Sequence, residues 1–434
     1  MQYYLHFSKI FSNFVAILKT RGLLCPPVCL CDVNGIKFFM RITVVTQYYK
    51  PEMGAPQNRL YEMCMGLKEL GADVSVVTGM PNYPTGEIFP EYKGKWHLCE
   101  QLDGMEVMRY PLYASNSRRV FPRIMSMLSF SFTVLFCLKY LRRRKNDFLI
   151  VESPPLSLAY SGYLLAKWSR SKLILNISDL WPLTAKELNV IKGDSLFYRM
   201  LERIEAFLYR HSYLCMGQSE EIVNYLDEHG APRTYLFRNG VNPSRFSETK
   251  KPAAKAPLQI MYAGLLGYAQ GVAEICKKVN FARLNAEFHI YGAGGEQKKI
   301  EAFLNANPDR GIVYHGTAKR EEIPALLAKA DCTLIPLVQH IYGAVPSKIY
   351  ESMAAGLPIL FSGEGEGAKI ITDNHLGWVV PAADFDGLIR AIRSIDTSSD
   401  EYAHIRRNCL ECAKTKFNRP EQIKLLHHFL SELS

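Results

Sequence analysis

The sequence predicts an α/β protein of two doubly wound domains in series, each a parallel sheet with helices on both faces. Three observations carry that expectation. Aliphatic and β-branched strands alternate with helical stretches from Met40 onward, the alternation restarts near residue 258, and 434 residues exceed what one ordinary core serves.

The elements follow in order. Met40 opens Met-Arg-Ile-Thr-Val-Val-Thr, which reads as a buried first strand at 41–46. A helix around 56–70 follows, then strands at 73–78 and 106–110, a long apolar helix, and a strand at 148–152. Residues 156–169 read as a helix, 172–177 as a strand, 195–210 as a helix, and 212–216 and 235–237 as short strands. The Lys/Pro/Ala-rich stretch 248–257 reads as a surface link. Beyond it, strands are expected at 258–262, 286–291, 311–315, 332–336, 358–361 and 377–380. The domains are therefore placed at 40–240 and 241–412, with a terminal helix in 413–434. Residues 1–39 stand apart. An internal methionine directly before a first strand suggests a natural start at Met40. The other reading is a membrane-leaning arm, although Lys9, Lys19 and Arg21 break its apolar residues and leave a poor signal peptide.

Composition narrows the function classes. With 48% hydrophobic and 22% charged residues, the chain is globular, not disordered or polytopic. A formal charge of +10 favours acidic partners, either anionic lipid or phosphorylated substrates. Nucleic acid is not expected, since no Arg-Gly-Gly tract, zinc-finger spacing or interleaved aromatic-basic motif occurs. Of eleven cysteines, Cys25, Cys29 and Cys31 cluster, and Cys409 with Cys412 forms the one C-x-x-C. A second pair at zinc spacing is missing, so reduced thiols are expected and no metal.

Residues 345–356, Val-Pro-Ser-Lys-Ile-Tyr-Glu-Ser-Met-Ala-Ala-Gly, carry the most chemistry. Pro346 starts a helix well, which puts Ser347 and Lys348 in a first turn, where free N–H groups and the helix dipole attract phosphate. Glu351 falls near the same face, and a carboxylate beside an anion site suits two vicinal ribose hydroxyls. Diphosphate at the helix start and ribose on Glu351 describe a sugar-nucleotide site. Gly264 and Gly267, in Gly-Leu-Leu-Gly-Tyr-Ala-Gln-Gly up to Gln270, follow the first strand of the second domain and suit a loop folded against diphosphate. Gly292 and Gly294 tempt a dinucleotide reading. The third glycine would be residue 297, which is Gln297, and no acid follows to hold a ribose, so a loop near the donor is the better expectation. Gly54 and Ala55 precede a helix after the first strand, where a substrate can approach backbone. Asp179, in Asp-Leu-Trp-Pro after the strand 172–177, has two open readings: it orients an acceptor hydroxyl or contacts the donor sugar, or it caps the next helix. The apolar run 124–138 is too short for a span and is flanked by Arg118, Arg119, Arg123, Lys139, Arg142, Arg143, Arg144 and Lys145. Core and membrane-dipping readings are both open, and the flanking bases favour the interfacial one.

In order along the chain, Gln47-Tyr48-Tyr49-Lys50-Pro51-Glu52, Gly79-Met80-Pro81-Asn82-Tyr83-Pro84, Ser153-Pro154-Pro155, Ser178 to Pro182, Arg238-Asn239-Gly240-Val241, Tyr262-Ala263-Gly264, Gln270-Gly271 and Pro346 to Glu351 match a known pattern. From Met40 to its end the chain resembles family 4 retaining glycosyltransferases of the two-domain GT-B type. It looks most like the fucosyltransferase-like branch of colanic-acid and O-antigen assembly. The resemblance implies two Rossmann-like domains facing a cleft, a C-terminal helix near 420–433 returning to the first domain, a nucleoside diphosphate sugar in the second domain and the acceptor at the first. It implies retention at the anomeric carbon by same-face attack. Two departures stand out. The family carries two glutamates eight positions apart, and the first position here is Gly343, beside Ala344, so that sugar contact is missing or made by backbone. The family also places a basic pair after Tyr262, where Leu265 and Gln270 stand. Lys348 is then the remaining cation for the leaving diphosphate, with Asp179 the other catalytic candidate. The expected activity is metal-independent transfer of a sugar, of the fucose type that the branch implies, to a polyprenyl-diphosphate-linked saccharide for O-antigen, capsule or exopolysaccharide. The expected setting is cytoplasmic, peripheral to the anionic inner membrane face, with no cofactor beyond the donor. A soluble acceptor and a non-catalytic assembly subunit are the alternatives.

Overall fold

The computed structural model describes residues 40–117, 120–187, 190–246 and 257–434. The expectations for residues 1–39, for Arg118 and Arg119, and for the link up to residue 256 lie outside the described residues.

Strands β1 (Arg41–Val45), β2 (Asp73–Gly79), β3 (Leu98–Leu102), β4 (Met105–Tyr110), β5 (Phe148–Ser153), β6 (Lys172–Ile177), β7 (Leu214–Gly217) and β8 (Thr234–Leu236) form one sheet in the order β3-β4-β2-β1-β5-β6-β7-β8. Strands β9 (Leu258–Ala263), β10 (Ala286–Tyr291), β11 (Ile312–Tyr314), β12 (Cys332–Pro336), β13 (Ile359–Ser362) and β14 (Gly377–Val380) form the second, in the order β11-β10-β9-β12-β13-β14. Central strands are buried on both faces, which is why Ile-Thr-Val-Val reads as a continuous apolar run without alternation. Pairing is parallel except between β3 and β4. The antiparallel edge strand β3 is a correction to the all-parallel expectation. It hangs on the two-residue turn Asp103-Gly104, both at positive φ (52° and 71°), a hairpin signal.

On one face of the first sheet lie the helices Ala55–Glu69 and Arg419–Leu433, which bury Leu60, Met63 and Leu67 together with Ile423, Leu426 and Leu430 against Ile42 and Val76. The two helices meet at Gly66, where a Cβ would sit 2.8 Å from Ile423 Cγ2, so a side chain there would push the terminal helix off. The opposite face carries the run Val120–Thr133, a 3₁₀ turn Val134–Cys137 and Leu138–Arg144, beside helices Leu156–Ser169 and Leu196–His211. The apolar stretch is thus not one straight helix. Phe130, Val134, Cys137 and Leu141 are fully buried, while Phe121, Ile124, Met125, Leu128 and Phe132 face outward. One side of the stretch is core and the other is exposed. By length and composition alone, Phe121–Arg144 is long and apolar enough to cross a bilayer.

Candidate active site

In each sheet the strand order reverses beside the first strand: β1 lies between β2 and β5, and β9 between β10 and β12. Loops leaving such neighbours in opposite directions open a crevice at the carboxyl ends of the strands, where doubly wound sheets take ligands. The candidate residues follow these strand ends, with Gly54 and Ala55 after β1, Asp179 after β6, Gly264, Gly267 and Gln270 after β9, Gly292 and Gly294 after β10, and Gly343 to Glu351 after β12.

The second-domain half centres on the helix Lys348–Ala354, with Ser347 as its N-cap. The Lys348 side chain lies across Gly264, whose φ of +153° and missing Cβ leave it the room. Its ammonium sits 5.1 Å from the Tyr262 ring centroid. Lys348 and Glu351 line one small cavity with Met261, Ala263, Thr333 and Ser352. Neither side chain has a hydrogen-bond partner among the described residues. Desolvation pushes the Lys348 pKa down, opposed by Glu351. It pushes Glu351 up, opposed by Lys348, Arg320 and Arg245. Both groups therefore favour less charge than they carry in water.

The glycines after β10 have a job of their own. Leu266 N–H donates to the Ala293 carbonyl (2.9 Å) and Glu296 N–H to the Leu266 carbonyl (2.9 Å), so the loops after β9 and β10 pack back to back. At Gly292, with φ +151°, a Cβ would overlap the Gly264 carbonyl, so loop-to-loop contact requires that glycine. Gly267 packs on Gln270, whose Oε1 is buried without a hydrogen-bond partner among the described residues.

In the first-domain half, Gly54 caps the helix Ala55–Glu69 in extended conformation, and Asn58 N–H donates to its carbonyl (3.0 Å). One turn on, buried Arg59 donates to Glu152 Oε1 (2.8 Å) and Ser178 Oγ (2.5 Å), and also to Gln218. Ser178 and Asn176 donate to the same Glu152, and Gln218 donates to the Ser178 carbonyl. Five side chains from four elements thus fix the loop that carries Asp179. Asp179 itself stays open to solvent and makes no side-chain hydrogen bond among the described residues, so it does not cap the following helix Leu183–Glu187. Desolvation by the surrounding walls pushes its carboxyl up to about 6, with Glu152 adding and Arg59 opposing. Glu52 explains two of the matched stretches: its carboxylate accepts N–H bonds from Tyr49 (3.0 Å), Asn82 (2.8 Å) and Tyr83 (2.8 Å), tying the loops after β1 and β2 together.

The two halves meet through the loop after β12. Gly343 donates its N–H to Glu221 (2.6 Å) and accepts from Ser219 Oγ (2.9 Å), both at the start of helix Glu220–Glu228. Its φ is +82°, and a Cβ would sit 2.6 Å from Ile222 Cγ1. Gly343 is thus a junction residue whose backbone is already engaged, and a sugar reaching its N–H would have to displace Glu221. Ala344 N–H turns inward to the Ile341 carbonyl (3.0 Å). Glu187, eight residues after Asp179, accepts from Tyr342 N–H (3.2 Å) and, through its carbonyl, from Gln339 (3.0 Å). The Asp179 segment and the loop leading to Lys348 therefore border one cleft. A second tie runs from Glu62 to Arg320 (2.9 Å) and Arg419 (3.2 Å). Arg59, Glu152, Gln218, Glu62 and Glu221 were missed in the sequence. Glu152 alone left a trace there, as an acid ending an otherwise apolar strand.

Two sheets facing one cleft, with reversal points on both sides and a terminal helix docked on the first domain, define the GT-B class. A model described as the glycosyl transferase 4-like domain matches residues 54–240, and one described as glycosyl transferases group 1 matches 257–397. The chain belongs to this family of GT-B glycosyltransferases. It is 27% identical over 336 residues to the putative colanic acid biosynthesis glycosyl transferase WcaI of Escherichia coli K12, covering 73% of this chain and 82% of that one. It is 26% identical to the probable glycosyltransferase WbjE of Pseudomonas aeruginosa, covering 67% and 75%. In fold it is similar to sucrose-phosphate synthase of Thermosynechococcus elongatus, at a TM-score of 0.70 and 15% identity over 91% of this chain and 99% of that one.

Proposed function

We propose that this glycosyltransferase moves a sugar from a nucleoside diphosphate sugar to a growing polyprenyl-diphosphate-linked saccharide, in assembly of a cell-surface polysaccharide. The observation that carries the donor half is the Lys348–Glu351 pair on one helix, against Gly264. Glu351 would hold the ribose hydroxyls. Lys348, Ser347 and the first turn of the helix would meet the diphosphate and take up its charge as the bond to the sugar breaks. Because the chain itself supplies that cation, transfer is read as metal-independent. Asp179 would orient the acceptor hydroxyl, and attack from the face of the departing diphosphate would retain the anomeric configuration. Support for the polysaccharide setting comes from the name of the Escherichia coli relative, a putative colanic acid enzyme.

Glu351→Gln keeps the shape and weakens hydrogen bonds worth roughly 1.5–3 kcal/mol each to a charged acceptor. Donor affinity should fall about 10- to 100-fold, read by calorimetry with a panel of nucleotide sugars. Unchanged affinity for every donor that supports turnover would move the ribose site elsewhere.

The lipid-linked acceptor implies a membrane surface, and the exposed side of Val120–Thr133 with the bases after it suits one. No Asp or Glu occurs between residues 107 and 146. Replacing Arg142 and Arg143, both exposed, by glutamate should release the chain from anionic vesicles, as should high salt, which screens exposed charges beyond about 10 Å at 0.1 M. Cosedimentation that neither change weakens would return the stretch to a core role alone.

A further inference from the structure

A second apolar surface lies on the same face of the first sheet, apart from the run 120–144. Helix Leu196–His211 opens with Leu196, Phe197 and Met200 at 83%, 50% and 48% exposure, and Val190 before it is 58% exposed. Tyr198 between them is buried and the Ser195 side chain caps the helix, so the turn is well formed and its apolar residues still face out. Lys192, Arg199 and Arg203 are exposed among them and outnumber the one exposed acid, Asp194. Leucine, phenylalanine and methionine interleaved with cations make the composition of an interfacial helix face, and the basic flank selects an anionic bilayer as the occupant.

Position gives the patch a use. The Lys186 ammonium lies 5.5 Å from the Tyr198 ring centroid, and the adjacent Glu187 holds Tyr342 and Gln339 of the loop after β12. The helix start therefore sits beside the cleft. We propose that Leu196, Phe197 and Met200 form a second membrane contact that inserts into an anionic leaflet next to the cleft mouth. A single contact leaves the molecule free to swivel, whereas two fix the tilt at which the cleft meets a lipid-linked acceptor. The inference rests on the peripheral-membrane reading above and adds a contact that reading does not require.

The test uses the full chain carrying Phe197→Trp, with vesicles of phosphatidylglycerol and phosphatidylcholine whose acyl chains are brominated. The added tryptophan should be quenched beyond the quenching seen for the unmodified chain. Leu196→Glu with Met200→Glu should lower vesicle partitioning about tenfold or more, with an unchanged thermal transition. Vesicle binding with residue 197 unquenched would overturn this contact and leave the membrane reading intact. Failure of the unmodified chain to bind vesicles at all would overturn both. A concentration-dependent blue shift without vesicles would overturn it in favour of a second copy of the chain.

Discussion

Lys348→Ala should lower the turnover number by about 100-fold or more, while affinity for the donor changes less than about tenfold. The asymmetry follows from when the charge is needed. A nucleoside diphosphate sugar already carries its charge in the ground state, but one further negative charge develops on the leaving diphosphate as the glycosidic bond breaks. A cation held against that oxygen acts mainly on the transition state. Lys348 is well prepared for this, because its stem is wedged over Gly264 and its ammonium has no competing hydrogen bond among the described residues. Loss of the lysine also leaves Glu351 without its main opposing charge, so that carboxyl moves further up. Donor binding should then weaken somewhat through the ribose contact. Transfer rates and calorimetric donor affinity, measured on a variant with an unchanged melting transition, separate the two effects. A turnover number equal to that of the unmodified chain would reduce Lys348 to packing over Gly264.

The sheets were legible because parallel strands buried on both faces leave unbroken aliphatic runs, as in β1 and β12. The edge strand β3, Leu-Cys-Glu-Gln-Leu, is half-covered and shows no such run, and only its Asp103-Gly104 turn marks it. Lys348 and Glu351 could be read because helical spacing puts two functional groups within one turn. Arg59, Glu152, Ser178 and Gln218 lie 26 to 159 positions apart in their pairings, and only the sheet order brings them together. Gly343 shows the converse. Counting from a family pattern points to a sugar contact, whereas its backbone is engaged by Ser219 and Glu221 across the domain junction.

That unreadable cluster gives the second large effect. Arg59 and Glu152 form a buried ion pair at 2.8 Å, with side chains 7% and 8% exposed. Arg59→Ala strands the carboxylate, a change that costs ~3–5 kcal/mol where the remaining charge has no other refuge. Glu152 has one, since desolvation already raises its pKa above the ordinary carboxylate value and Arg59 is the first force opposing that rise. In the variant it rises further. An acid whose folded pKa is raised loses its proton first in the unfolded chain, so stability falls as pH climbs from about 4.3 through the folded value. The melting temperatures of Arg59→Ala and the unmodified chain should therefore converge in acid and separate as pH rises, and Glu152→Gln added to Arg59→Ala should recover most of the loss. Catalysis supplies an independent sign. Arg59 holds the Asp179 carboxyl down toward its value of about 6, while Glu152 holds it up. If Asp179 works ionised, the acid limb of the rate profile should move to higher pH in Arg59→Ala and to lower pH in Glu152→Gln. A purely structural cluster would move both limbs the same way or neither, and that result would remove Asp179 from the chemistry.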